Sequence, residues 1–209
     1  MSEFTPCMVK LANKRCTVIG GGKVAFRKIV ALLSSHCKVK VISPFLCPEL
    51  EEIISQCEYE QRPYKKGDTE GAFIVVAATD KKEINMDIYH DAIDHVPFLN
   101  IVDDQSLSNF FIPSILQRGP LQIAISTTGA SPIVTKKIFD KLANTFGEEY
   151  EPYLKKIKEV RNEILMHVKD PAEKKAMLKR LSEDELLDAF MQKDEQRIQS
   201  FIRSVWKEE

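Results

Sequence analysis

The chain has 209 residues, of which 44% are hydrophobic and 29% charged, and its formal net charge is -1. These proportions are typical of a soluble globular protein of one or two domains, and they exclude a disordered or collagen-like chain. The near-zero charge gives no argument for nucleic acid or an anionic membrane as a partner. Because no apolar run approaches the roughly 20 residues that cross a bilayer, and the N-terminus lacks a secretory apolar segment, we expect a cytoplasmic protein.

The cysteines and histidines give no metal-binding pattern. The five cysteines are odd in number, contain no C-x-x-C pair and lie within the first 57 residues. In a cytoplasmic chain this pattern predicts free thiols. The four histidines share no ligand spacing with one another or with the cysteines, so we expect no metal site.

Strand-like and helical segments alternate through the first hundred residues. The sequence predicts strands at 15–19, 39–42, 73–78 and 98–102 and helices at 23–35, 48–56 and 80–95. The continuous apolar run at 73–78 suits a parallel strand that is covered on both faces. The alternation therefore predicts an α/β fold with a doubly wound parallel sheet.

The pattern changes after residue 102. Residues 110–112 and 121–126 are predicted strands, separated by a turn at Arg118-Gly119-Pro120. Ser131-Pro132 is a typical helix start, with serine as N-cap and proline in the first turn, and it predicts a helix to about Phe146.

The segment after Gly147 contains no glycine and is rich in charge. Residues 150–209 hold 13 basic and 13 acidic side chains. Two apparent capping boxes, at 170–173 and 182–185, predict helix starts. One apolar stripe has helical spacing: Leu154, Ile157, Val160, Ile164, Leu165 and Val168. The tail is therefore predicted to form three or four short amphipathic helices.

Three of the eight glycines stand together directly after the first predicted strand. The run Gly20-Gly21-Gly22-Lys23-Val24-Ala25 fits the pattern G-x-G-x-x-A at the start of a helix. In a dinucleotide site the first glycine permits the tight turn, and the third position of the run lets the backbone approach a pyrophosphate. The helix N-terminus attracts the phosphates. A tight turn without a ligand is the alternative interpretation.

The second predicted strand ends without the acidic residue that such sites use to bind the adenosine ribose. Ser43, Pro44 and Phe45 stand there instead. No basic residue lies beside Ser43 to hold a 2′-phosphate, which favours NAD over NADP. We expect these three residues to contact the cofactor.

Polar residues follow the next two predicted strands. Thr79 and Asp80 follow the strand at 73–78, whereas Asn100 lies within the strand at 98–102. Ligands gather at the carboxyl ends of parallel strands, so these three are candidates for cofactor binding. Asp103 and Asp104 close the strand at 98–102 and are candidates for a base, although one of them could simply cap a turn.

A hydroxyl-rich loop, Ser126-Thr127-Thr128-Gly129, leads into the helix that begins at Ser131-Pro132. It could bind an anion, or it could serve only as helix-capping structure. Arg118, Lys136 and Lys137 add positive charge in the same part of the chain.

Three segments together resemble a known family. TVIGGGKVAFRKIVALL, FIVVAATDKKEIN and LNIVDDQSLSNFFIPSILQRGPLQIAISTTGASPIVTKKI are similar to the N-terminal half of siroheme synthases and to stand-alone precorrin-2 dehydrogenases. The resemblance implies NAD-dependent oxidation of precorrin-2 to sirohydrochlorin. It also implies a homodimer with three parts: a Rossmann domain at 1–112, a dimerisation region at 113–147 and a helical region at 148–209.

The resemblance also implies roles for particular residues. The family's N-x-V-D motif stands here as Asn100-Ile101-Val102-Asp103, which makes Asp103 the catalytic aspartate. Since the substrate carries many carboxylates, Arg118 and the loop residues Ser126, Thr127 and Thr128 are candidates for binding it. The family commonly has glycine where this chain has Thr128.

Two further activities stay open at this stage. Many relatives also insert iron into sirohydrochlorin, and Asp103 could support such a ferrochelatase, although no histidine cluster is present for metal delivery. A non-catalytic module that binds NAD or a tetrapyrrole is the other alternative. Methylation is not expected, because no methyltransferase module is recognisable.

Overall fold

The computed structural model describes residues 4–206. The chain divides into two compact units: the first ends at Ile112 and the second begins at Pro113.

The first unit is built on a five-stranded sheet in which all strands run parallel, in the order β3-β2-β1-β4-β5. The strands are β1 (Arg15–Ile19), β2 (Lys38–Ile42), β3 (Glu58–Glu60), β4 (Ile74–Ala77) and β5 (Phe98–Ile101). This order is that of a dinucleotide-binding Rossmann sheet, and it confirms the predicted α/β fold.

Helices cover both faces of this sheet. They are α1 (Lys23–Ser34), α2 (Pro48–Glu51) and α3 (Lys82–Ala92), with short 3-10 helices at Ile54–Gln56 and Gln105–Leu107. Alternate residues of β4 point to opposite cores: Val76 packs in the core that contains α1, and Val75 in the core that contains α3. The sheet is thus doubly wound, as the apolar run predicted.

The predicted helix at 48–56 is shorter in the structure. After Glu51 the amide N–H groups of Ile53, Gln56 and Cys57 each bond to the carbonyl three residues before them. Such i to i−3 bonds tighten the chain into a 3-10 turn, which leads into β3. The strand β3 itself was not predicted, because its sequence Glu-Tyr-Glu is mostly charged and forms an edge of the sheet.

The prediction of a strand at 110–112 is wrong. The amide groups of Asn109 and Phe110 both bond to the carbonyl of Leu99, and no ladder continues beyond them. The aromatic rings are partly covered by packing instead: Phe110 lies against Phe98, and Phe111 against Phe4. Apolar residues here mark core contact rather than strand pairing.

The second unit begins with an antiparallel hairpin of β6 (Ser114–Arg118) and β7 (Leu121–Ile125), in which Leu116 faces Ile123. The strand predicted at 121–126 therefore forms as β7, but it pairs with β6 and not with a strand at 110–112. Gly119 makes the turn with φ +55, a left-handed conformation that favours glycine.

Five helices complete this unit: α4 (Pro132–Thr145), α5 (Tyr150–His167), α6 (Pro171–Arg180), α7 (Asp184–Met191) and α8 (Glu195–Val205). The last four share one apolar core, centred on Ile164, Leu181 and Leu186. The prediction that Leu165 belongs to the apolar stripe is wrong. Its side chain is 42% exposed, because it points about 100° around the helix from that of Ile164.

The predicted helix caps have different outcomes. Ser131 accepts a hydrogen bond from the amide of Val134, and Asp170 accepts from the amides of Ala172 and Glu173 at 3.0 and 2.8 Å. The second apparent capping box is wrong, because Ser182 donates its hydroxyl to the carbonyl of Leu178 and does not cap α7.

No helix within residues 4–206 has both the length and the apolar character that crossing a membrane requires.

We expect the substitution Asp170→Ala to lower the free energy of unfolding of the helical region by about 1 kcal/mol, because two amide groups of α6 lose their acceptor. Urea denaturation followed by circular dichroism measures the change. Ser182→Ala is the control: it should change this free energy by less than about 0.5 kcal/mol. Equal losses in both variants would contradict this account of capping.

Candidate functional site

The glycine run after β1 forms a turn into which two neighbouring loops pack tightly. A Cβ atom on Gly20 would overlap the carbonyl of Ala78, and one on Gly21 would overlap that of Phe45. Gly20 also has φ +126, which L side chains rarely adopt. Both positions therefore require glycine for the fold itself.

Gly22 differs from its two neighbours. A Cβ atom there would meet no atom within 4 Å, and its φ of -83 is accessible to any residue. Gly22 is the N-cap of α1, and no side chain caps that helix. The first amide groups of a 12-residue helix are thus left without a capping side chain, beside an open backbone. This is the arrangement that binds a pyrophosphate.

A cleft of about 470 Å³ opens between the ends of β1, β2, β4 and β5. Eleven of the predicted site residues line it: Gly20, Gly21, Gly22, Lys23, Val24, Ser43, Pro44, Phe45, Thr79, Asp80 and Asp103. The first and last of these residues are more than 80 positions apart in the sequence. The parallel order of the strands brings them to one edge of the sheet, where α/β proteins bind ligands.

The loop after β2 presents an aromatic ring to this cleft. Phe45 is 64% exposed, although large apolar side chains are usually covered. The loop is held from behind, because the Ser43 hydroxyl donates to the carbonyl of Phe45 at 2.6 Å and Tyr59 donates to the carbonyl of Ser43 at 3.0 Å. The hydroxyl of Ser43 thus bonds within the loop, and the Phe45 ring is the part of the loop that is exposed at the cleft.

Thr79, in the turn that follows β4, is fixed by the buried side-chain amide of Asn85, which no sequence pattern had indicated. Asn85 of α3 is 3% exposed; its Oδ1 accepts from the hydroxyl of Thr79 at 2.7 Å and its Nδ2 donates to the Thr79 carbonyl at 3.2 Å. Asn85 therefore positions Thr79 at the cleft. A polar residue on the inner face of a predicted helix is the signal that could have found it.

The two aspartates after β5 have separate surroundings. Asp104 caps a 3-10 turn and accepts from the amide and hydroxyl of Ser106 at 2.9 and 2.6 Å. These hydrogen bonds hold the pKa of Asp104 below its usual value. Asp103 is exposed and lines the cleft. Of the two candidates for a base, Asp103 is the one that lines the cleft.

Asn100 is not among the residues that line the cleft. It is buried on β5, and its Nδ2 lies 3.4 Å from the hydroxyl of Ser108, which also accepts from the amide of Ile101 and donates to the carbonyl of Asp104. That Asn100 contacts the cofactor stays a prediction; in the structure its side chain lies against Ser108, in the turn that carries Asp103.

The hydroxyl-rich loop belongs to the second unit and is held by its own side chains. Thr127 Oγ1 accepts from the amide of Ser131 and lies 3.1 Å from the hydroxyl of Thr135. Ser126 accepts from the amide of Thr128, which has φ +47. A threonine in this left-handed conformation is strained, which explains why glycine suits the position. Ser126 and Thr128 are exposed.

Arg118 also contributes to local structure. Its Nε donates to the carbonyl of Phe146 at 3.1 Å, at the end of α4, and its Nη1 donates to the carbonyl of Gln117. A cation at a helix C-terminus is stabilising. Arg118 thus fastens the hairpin to α4.

All five cysteines are free thiols. Burial raises the pKa of both Cys16 and Cys37, so these thiols are protonated and serve as packing residues. Within the part of the chain that the structure describes, no three His, Cys, Asp or Glu side chains are placed to hold a metal ion.

Two family models match the chain. The model described as putative NAD(P)-binding matches residues 7–114, and the one described as sirohaem biosynthesis protein central matches residues 118–145. The first match covers more than half of the sequence, so the chain belongs to this NAD(P)-binding family.

Several curated relatives of the chain are siroheme synthases. The chain is 29% identical over 191 residues to that of Thioalkalivibrio sulfidiphilus, which covers 90% of this chain and 39% of the relative. It is 31% identical over 195 residues to that of Chromobacterium violaceum, with 92% and 42% covered. The chain therefore spans about two fifths of the length of these relatives.

A solved structure shares the whole fold. SirC, a precorrin-2 dehydrogenase, superposes with a TM-score of 0.80 at 26% identity and covers 98% of this chain and 100% of its own. These findings confirm the predicted resemblance to precorrin-2 dehydrogenases and to the N-terminal half of siroheme synthases.

We expect Gly22→Ala to fold normally but to bind NAD about tenfold more weakly or worse, because the added methyl group occupies open space that the pyrophosphate needs. Calorimetric titration measures the affinity, and a thermal melt measures stability.

Gly21→Ala is the contrasting variant. It should lower the melting temperature itself, because its Cβ overlaps the carbonyl of Phe45. If Gly22→Ala binds NAD like the parent protein, the glycine run is a structural turn without a phosphate.

Proposed function

We propose that this protein is an NAD-dependent dehydrogenase that oxidises precorrin-2 to sirohydrochlorin. The observation that carries the proposal is the exposed carboxylate of Asp103, which lines the same cleft as the uncapped glycine turn. The likeness to SirC over nearly the whole chain supports it.

The proposed reaction removes a hydride and a proton from the macrocycle. Bound NAD supplies the hydride acceptor. The N-terminus of α1 and the open backbone of Gly22 hold its pyrophosphate, while Thr79, fixed by Asn85, shapes the floor of the cleft. Asp103 accepts the proton, since its carboxylate is exposed at the cleft and can reach a bound substrate.

NAD is the cofactor we propose rather than NADP. The strand end that would read the ribose carries Ser43, Pro44 and Phe45, and none of these can form an ion pair with a 2′-phosphate. Of the two lysines that line the cleft, Lys23 lies 3.4 Å from the carboxylate of Glu49. The other, Lys81, follows β4 rather than β2, so the end of β2 offers no cation to a 2′-phosphate.

For the substrate carboxylates we propose the hydroxyl-rich loop. The exposed hydroxyls of Ser126 and Thr128 are available to donate hydrogen bonds. Thr127 and Arg118 contribute by fixing the loop and the hairpin beside it, through their bonds to Ser131 and Phe146.

Residues 113–147 are proposed as a dimerisation region, between a nucleotide domain at 1–112 and a helical domain at 148–209. Helix α4 has no buried residue in the single chain. Its apolar side chains Ile133, Val134 and Ile138 are exposed, as is Ile115 of the hairpin. Such apolar surface marks an interface, so we propose a homodimer. The free thiols fit a cytoplasmic location.

Asp103→Asn should lower the turnover of precorrin-2 by about 100-fold or more, because an amide cannot accept the proton. The affinity for NAD should stay within about twofold, since the pyrophosphate site is intact. NADH absorbance measures turnover, and calorimetric titration measures NAD binding.

Asp94→Asn removes the same charge from an exposed position outside the cleft, and it should retain full turnover. If the parent protein with authentic precorrin-2 forms no NADH, the proposed reaction is wrong. Binding of NAD and precorrin-2 without turnover would instead indicate a non-catalytic module.

Ile133→Asp should shift the protein from dimer to monomer, because a charge would be buried in the proposed interface. Light scattering during size-exclusion chromatography measures the mass. Met166→Asp is the matched control, because both side chains are 71% exposed in the single chain but Met166 lies on α5. A dimer that survives Ile133→Asp and not Met166→Asp would place the interface on the helical domain.

A further inference from the structure

The crossover from β3 to β4 is a loop that contains no helix in its thirteen residues, 61–73. Connections between parallel strands usually contain a helix. This loop instead brings Pro63 and Tyr64 into the lining of the nucleotide cleft. No sequence pattern marked either residue as part of the site.

A single carboxylate oxygen fastens this loop to α3. Asp91 Oδ2 accepts from the Tyr64 hydroxyl at 2.8 Å, from the amide of Gly67 at 2.9 Å and from the hydroxyl of Thr69 at 2.9 Å. Thr69 is fully buried, and its oxygen lies 3.1 Å from Nε2 of His95. The three bonds determine where the Tyr64 ring lies.

The charge on Asp91 makes this anchor strong. Burial acts to raise the pKa of Asp91, but the bonds from Gly67, Tyr64 and Thr69 outweigh it and hold the pKa below its usual value. Asp91 is therefore ionised at neutral pH, and hydrogen bonds to an ionised acceptor are stronger than those to a neutral one.

The position of Tyr64 in the sheet indicates which half of a dinucleotide it meets. The pyrophosphate lies at the glycine turn after β1, and in such sites the adenosine ribose lies at the end of β2. Tyr64 follows β3, the neighbour of β2 at the edge of the sheet. On this side the cleft has apolar walls, formed by Phe45, Pro63, Tyr64 and Ile84.

This inference rests on the proposed function, in that the cleft binds NAD. We propose that Tyr64 binds the adenosine half of the cofactor, its ring forming with Phe45 and Pro63 the wall against which the adenine packs. Asp91 is the positioning residue that holds Tyr64 in place. Ring contact with the adenine thus offsets the absence of the ribose-binding carboxylate that other dinucleotide sites place at the end of β2.

Three ligands separate this role from others: NAD, ADP-ribose, which lacks the nicotinamide, and nicotinamide mononucleotide, which lacks the adenosine. Tyr64→Ala should weaken the binding of NAD and ADP-ribose by about tenfold, the effect of losing one stacked base contact. It should leave the binding of nicotinamide mononucleotide unchanged. Calorimetric titration, with competition for the weaker ligand, gives the three dissociation constants.

Conservative variants test the anchor separately from the ring. Tyr64→Phe keeps the ring and loses the bond to Asp91. It should therefore bind NAD more weakly than the parent but more tightly than Tyr64→Ala. Asp91→Asn keeps an acceptor oxygen but removes the charge that strengthens the bond, so its loss of NAD affinity should not exceed that of Tyr64→Phe. Asp94→Asn, which removes an exposed carboxylate three residues further along, should bind all three ligands like the parent. Thermal melts identify any variant that has lost its fold.

Two results would overturn the inference: a Tyr64→Ala variant that binds ADP-ribose like the parent, or one that loses affinity equally for all three ligands. The first result would mean that Tyr64 does not contact the adenosine. The second would mean that the substitution damages the whole cleft. A parent protein that binds NAD but does not oxidise precorrin-2 would contradict the proposed reaction and leave this inference standing. A parent protein that binds no NAD would overturn both.

Discussion

The close approach of three backbone segments is the constraint on which the nucleotide cleft depends. Gly20 lies against the carbonyl of Ala78, and Gly21 against that of Phe45, with no room for a Cβ atom at either position. This contact joins the ends of β1, β2 and β4, and it aims the N-terminus of α1 into the space between them. With side chains at these glycines the loops would separate, and the helix dipole would no longer face a bound phosphate.

Polar residues around the cleft divide into those that hold the backbone and those that face the ligand. Asn85 bonds to Thr79 in the loop after β4, whereas Ser43 and Asp104 bond within their own turns, to Phe45 and to Ser106. These hydrogen bonds fix the positions of Thr79 and Asp103 on the cleft wall. Rigid support of this kind matters for catalysis, because small displacements of a reacting group reduce the rate strongly.

The second unit combines two different kinds of surface. One is a loop of hydroxyl groups, kept in a strained turn at Thr128 by internal hydrogen bonds. The other is a helix, α4, that has no fully buried residue within the chain. A loop stiffened in this manner suits recognition of a polycarboxylate, and an uncovered apolar helix suits contact with a second copy. Both surfaces lie within residues 113–147, which the family model of sirohaem biosynthesis also covers in large part.

The sequence by itself determined the α/β fold, the glycine turn, the cap at Ser131 and the choice of Asp103 or Asp104, because strand periodicity, glycine spacing and capping chemistry act between near neighbours. Only the tertiary structure decided which aspartate lines the cleft, buried Asn100 against Ser108 and brought Tyr64 into the cleft wall. Those outcomes depend on which side chains meet across strands and loops that are distant in the chain. A local pattern cannot carry that information, since a buried amide and an exposed one have the same sequence signature.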